Sequence, residues 1–116
     1  MVDKTQIVIK CKNEHITISC LKLSYFGKML GLLFSKLENS DILLFEFKED
    51  VHNSIHSFYV FFDFLAVWLD KDNNIIESKI IKPWKMKIYP EKEYRKLIEI
   101  PINKQNSKLI KRIIIG

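Results

Sequence analysis

The chain has 116 residues, 47% of them hydrophobic and 28% charged, with a formal net charge of +5. That length accommodates one core and excludes two, and that balance is too apolar for a disordered segment and too charged for a bundle of membrane helices. Residues 1–116 are expected to form a single domain.

The N-terminus, "MVDKTQIVIKCKNEH", alternates charged with apolar residues and lacks the continuous apolar core of a signal peptide, which points to the cytoplasm. Gln6–Lys10 and His15–Leu23 show β-branched alternation around a polar "KNE", so two strands are expected to turn near Asn13 and Glu14. That register sets Cys11 beside Ile16 and Cys20 beside Ile7. The sulfurs are not opposite each other, and reduced, partly buried thiols are expected.

From Ser24 to Phe34 the apolar residues recur at helical spacing, with Ser24 able to serve as N-cap, which predicts a short helix. "ILLFEF", Ile42–Phe47, reads as a strand buried on both faces, followed by a loop over Lys48–Asn53.

"HSFYVFFDFLAVWLD" holds eleven apolar or aromatic residues between Phe58 and Leu69 and a single acid, Asp63. A bilayer-spanning helix needs about 20 such residues, so this run is too short. As one strand it would be about three times the usual length and would bury Asp63 among Tyr59, Phe61, Leu65 and Val67. An unpaired carboxylate there costs several kcal/mol, comparable with the stability of a small domain. The chain is therefore expected to bend near Asp63, with the acid at a turn, bulge or paired site.

Phe64–Leu69 then forms a strand. Asn73 and Asn74, tolerant of positive φ, supply a hairpin turn into a return strand over Ile75–Lys82, which Pro83 ends. "WKMKIYP" alternates Trp84, Met86 and Ile88 with Lys85, Lys87 and Tyr89, as a half-buried edge strand would. "EKEYRKLIEI" reads as a helical turn passing into a strand that stops at Pro101, and "LIKRIII" as a final strand. The fold class is α+β, mostly antiparallel β, a single compact barrel- or sandwich-like domain with one or two short helices.

Taken in order, "KMLGLLF", "DILLFEF", "SIHSFYVFF", "VWLDKDNNII", "IIKPWK" and "LIEIPI" resemble the landmarks of domain of unknown function family 192, small proteins of archaea and bacteria. The resemblance spans Gly27–Ile102 and implies a compact, strand-rich domain with no assigned reaction. Its landmark positions are Gly31, Phe34, His56, Leu69, Asp70, Pro83, Trp84, Glu99 and Pro101. The family's turn before the "LD" strand has a proline and an acid where this chain has Asp63 and Leu65. An aspartate at the proline position agrees with a bend there.

His56, Asp63 and Asp70 are the residue types of an acid–base cluster, and paired strands could bring them together. Against catalysis, the sequence holds no nucleophile elbow, no HExxH and, with three glycines, no phosphate-cradling loop. The three histidines and two cysteines lack metal-ligand spacing, so neither a metal nor another cofactor is expected. Asp70 fits equally a turn that caps its own amides.

Charge is uneven. Residues 1–70 carry 7 Lys against 9 acids, and residues 71–116 carry 12 Lys or Arg against 5 acids. A basic half threaded with Trp84 and Tyr89 suits RNA or DNA. It is also the composition of a chain in which Ile, Lys and Asn make up 42 residues. The function read from the sequence is therefore non-catalytic binding of a small ligand or partner protein through Trp84, His56, Asp70 and Lys82, by a monomer or homodimer without membrane contact. A nucleic-acid module, and a hydrolase-like enzyme using His56 with a carboxylate, are the alternatives.

Overall fold

A computed structural model describes residues 2–23, 41–55 and 62–115. The helix expected over Ser24–Phe34, the first part of the long apolar run and His56 lie outside the described residues.

Among the described residues six strands form one sheet: β1 (Val2–Cys11), β2 (Glu14–Leu23), β3 (Leu43–Val51), β4 (Phe64–Leu69), β5 (Ile75–Ile81) and β6 (Tyr94–Pro101). Their order is β1-β2-β3-β6-β4-β5. Every pairing is antiparallel except β2 with β3, which run parallel over Leu21–Leu23 and Leu43–Phe45. The sheet curls until its outer strands approach, Lys10 bridging to Asn74 and its N–H donating to the Asn73 carbonyl at 2.8 Å. The result is a mostly antiparallel half-barrel with a short C-terminal helix, α1 (Ser107–Ile115).

The strands follow their side chains. β1 and β2 alternate, sending Ile7, Ile9, Cys11, Ile16, Ile18 and Cys20 to the inner face. β4 and the C-terminal half of β6 are buried on both faces, as befits neighbours at the middle of the sheet. Leu65, Val67, Leu69, Ile98 and Ile100 join the inner core, while Phe64, Ala66, Trp68 and Leu97 join a second core on the outer face with Leu43 and Phe45.

Several expectations shift. The first turn is two residues long, Lys12–Asn13, with Lys12 at φ 55°, so Cys11 pairs with Glu14 and Cys20 with Thr5. Both thiols are free and buried. β3 continues through the expected loop to Val51, because an irregularity after Glu46 lets Val51 rejoin Tyr94. Trp84–Tyr89 is not an edge strand. Trp84 and Lys87 take φ of 62° and 51°, which breaks the extended path and leaves only an isolated bridge from Ile88 to Ile55. β6 begins at Tyr94 without a helical turn before it.

The largest change is at the C-terminus, where "LIKRIII" is helix rather than strand. Ile110 and Ile113, one turn apart, are buried against the inner core with Leu109 packed beside them. Asn103 Oδ1 accepts the Asn106 N–H at 2.9 Å, and the Asn106 carbonyl accepts the Ile110 N–H at 3.0 Å, opening the first turn. Burial of this face outweighs the low helix propensity of isoleucine. No described helix is long and apolar enough to cross a membrane.

Candidate functional site

Asp63 lies just before β4, outside the strand, as the expected bend requires. Its carboxylate meets Lys82 Nζ at 2.8 Å and its carbonyl accepts the Ile102 N–H at 3.0 Å. Asp70 follows the other end of β4. Seven residues of extended chain span about 23 Å, so these two acids do not share a site.

Asp70 is committed to its turn. Oδ1 accepts the N–H groups of Asp72 and Asn74, both at 2.9 Å, and Oδ2 accepts Asn74 Nδ2 at 3.0 Å. Desolvation is the largest single influence and would raise its pKa, but these hydrogen bonds and the charge of Lys10 together outweigh it and hold the carboxyl below its ordinary value. Trp84, half-exposed, sits in the loop after β5 with Lys82 two residues before it. The residues chosen from sequence are therefore divided among the hairpin tip (Asp70), the start of β4 (Asp63 with Lys82) and a surface loop (Trp84). His56 lies outside the described residues.

The structure draws attention to residues the sequence reading passed over. An open cleft of about 740 Å³ lies where β2 runs on past the beginning of β3. Polar residues from four segments line it: Lys4, Thr5 and Gln6 on β1, Ser19 on β2, Asp41 before β3, and Gln105 and Asn106 before α1. Leu21, Ile42 and Cys20 supply apolar surface. Gln6 Nε2 lies 3.5 Å from Ser19 Oγ, and Asn106 Nδ2 donates to the Pro101 carbonyl at 2.9 Å, fixing that amide. Lys4 and Asp41 give the cleft one charge of each sign. Cys20 is the one thiol among the lining residues, and burial followed by the charge of Glu46 pushes it up to about 11, so it stays protonated at neutral pH. No sequence motif marks this cleft, because its residues are ordinary polar types brought together by the sheet.

A second feature is internal. Glu99, in the middle of β6, is fully buried, and neither carboxylate oxygen has a hydrogen-bond partner among the described residues. Leu43 of β3 lies on one side and Ala66 of β4 on the other. Desolvation pushes its pKa up to about 8, so at neutral pH it is mostly the uncharged acid. The Trp68 indole N–H, also fully buried, is likewise without a partner. Nearby Tyr94 donates its hydroxyl to the Asn53 carbonyl at 2.8 Å and stacks edge-on to Trp68 at 6.4 Å. Burial, then the Glu99 charge, raises Tyr94 to about 12. Glu99 was legible as an acid inside "LIEIPI", the same anomaly that singled out Asp63.

Among the described residues no group of three or more His, Cys, Asp or Glu is placed to hold a metal ion. His52, beside the bridge at Ile55, is 2.6 Å from the Pro90 carbonyl and packs edge-on against Tyr89, a structural attachment.

Fold and site together define a small β-rich domain with a polar cleft. Over 78 residues the chain is 27% identical to the UPF0127 protein PH1112 of Pyrococcus horikoshii, an alignment covering 67% of each chain. That likeness is to an uncharacterised protein family. No family model matches the chain, and no solved structure matches it.

Proposed function

We propose that the protein is a non-catalytic domain that binds a small polar ligand in the cleft between β1, β2 and the Asp41–Ile42 and Gln105–Asn106 segments. The observation that carries this reading is the chemistry of the lining. The lining residues carry three amides, two hydroxyls, one ammonium and one carboxylate, while the thiol among them is held protonated. Such groups orient a ligand by hydrogen bonds without supplying an activated nucleophile. A zwitterion or polyol matches them best: Lys4 and Asp41 suit opposite charges, and the amides both donate and accept.

The resemblance to domain of unknown function family 192 remains part of this proposal. Its landmarks fall at positions with evident structural duties, Asp70 at the hairpin turn, Trp84 at a positive φ, and Glu99 with Pro101 in the central strand β6. Cytoplasmic residence belongs to the same proposal.

The test is a thermal-shift screen against free amino acids and polyols, repeated on Lys4→Met and Asp41→Asn. A stabilising compound whose shift falls at least threefold in either variant supports the cleft. Binding unchanged in both variants, or no shift with any probe, refutes it.

A further inference from the structure

Glu99 and Trp68 lie on the same outer face of the sheet. Glu99 is opposite Ala66, and Trp68, two residues along β4, is opposite Leu97, so the two are diagonal neighbours. Diagonal positions of paired strands are about 7–8 Å apart, within reach of a large side chain and one intervening atom. The pair is complementary in sense, because the indole N–H only donates and carboxyl oxygens accept. Yet neither finds a partner, although leaving such groups unsatisfied in the interior costs about 1–3 kcal/mol each. Ala66, the single alanine of the chain, is the residue paired directly across from Glu99 and two before Trp68, so the smallest side chain on β4 stands at the position between them on this face.

We propose that Glu99 and Trp68 form an internal binding site for one small uncharged hydroxyl group, seated against Ala66 between the indole N–H and the carboxyl. A hydroxyl is the group whose oxygen accepts from the indole while exchanging a hydrogen bond with a carboxylic acid. The surroundings favour an uncharged guest. Leu43, Ala66 and Phe64 offer no counter-ion, and Lys79 Nζ already lies over the Trp68 ring at 5.9 Å, which disfavours a second cation. This site is separate from the surface cleft. Water and a small alcohol share the required chemistry.

The experiment follows the Trp68 indole proton by NMR in the full chain carrying Trp84→Phe, which leaves one indole signal. A cross-peak to water identifies water as the guest. A chemical-shift change on titration with methanol, saturating and lost in Glu99→Leu, identifies an organic hydroxyl. Glu99→Gln, whose amide still donates and accepts, retains either signature. An indole proton with neither a water cross-peak nor a methanol-dependent shift overturns the proposal, as does either signature surviving unchanged in Glu99→Leu. Because the parent spectrum alone gives the first answer, failure of the leucine variant to fold leaves the test decisive.

Discussion

At the scale of single residues, Glu99 dominates the pH behaviour of the molecule. Its carboxyl is raised from 4.5 to about 8 by desolvation, so the folded state holds its proton where the unfolded chain has released it. Stability is therefore greatest below pH 4.5 as far as this group is concerned, declines as pH rises to about 8, and levels off above. The shift corresponds to about 5 kcal/mol. Asp70 and Glu77 act in the opposite direction: with pKa values lowered by hydrogen bonds and nearby lysines against a desolvation that would raise them, their contributions vanish as pH falls through the acid range. Urea denaturation is expected to show maximum stability near about pH 5. Glu99→Gln should remove most of the alkaline decline, leaving the variant more stable than the parent at pH 9 by several kcal/mol. Equal alkaline slopes for parent and variant would show that this carboxyl is not the titrating group. Asp63, the acid that the apolar run made conspicuous, is the lesser case. It stands outside the strand, opposite Lys82, in a partly exposed pair of the kind worth at most about 1 kcal/mol. An isolated acid in an apolar run is legible in sequence, but which of two such acids is sealed depends on strand neighbours that are distant in the chain.

Among the elements, α1 shows where local pattern misleads. Three consecutive isoleucines favour an extended reading on propensity alone. The helix forms because Ile110 and Ile113 fit the inner core, while Arg112 Nη2 reaches Glu14 Oε1 at 2.7 Å and the Cys11 thiol faces the Ile113 carbonyl at 3.8 Å. Glu14 and Cys11 lie about a hundred residues away in the chain. Ile113→Ala should lower the unfolding free energy by about 2–4 kcal/mol, whereas Ile115→Ala, at an exposed position, should change it by less than about 0.5 kcal/mol. Equal effects from the two substitutions, measured by chemical denaturation, would mean that the helix does not dock by this face. The β4–β5 hairpin was readable because its turn residue is a local signal: Asn73, at φ 69°, supplies the left-handed position where the sequence places it. The Trp84–Tyr89 stretch was not, since its alternation resembles a strand and nothing local announces positive φ at Trp84 or Lys87.

At the scale of the whole molecule, fold class follows from the sequence, because alternation and turn residues report half-buried antiparallel strands. Strand order does not, and the cleft is a product of strand order. It exists because β2 pairs with β3 only through Leu21–Leu23, leaving the β3-facing edge of the rest of β2 without a partner strand among the described residues. The same arrangement makes β1 and β2 a unit of its own. Their mutual pairing runs the full ten residues, whereas their backbone pairing with the other strands is limited to that short parallel contact and the bridge at Lys10–Asn74, reinforced by Asn73, whose Nδ2 donates to the Val8 carbonyl at 2.9 Å. Native-state hydrogen exchange should find amides near the Leu21–Ile42 junction opening at lower free energy than those of β4 and β6. Uniform protection across the sheet would contradict this.

The β1–β2 arm carries its own ladder, yet it sends six side chains, Ile7, Ile9, Cys11, Ile16, Ile18 and Cys20, into the inner core. What fastens it to the rest of the half-barrel is therefore chiefly oil-like cohesion, a force without direction, rather than a continuous seam of backbone bonds.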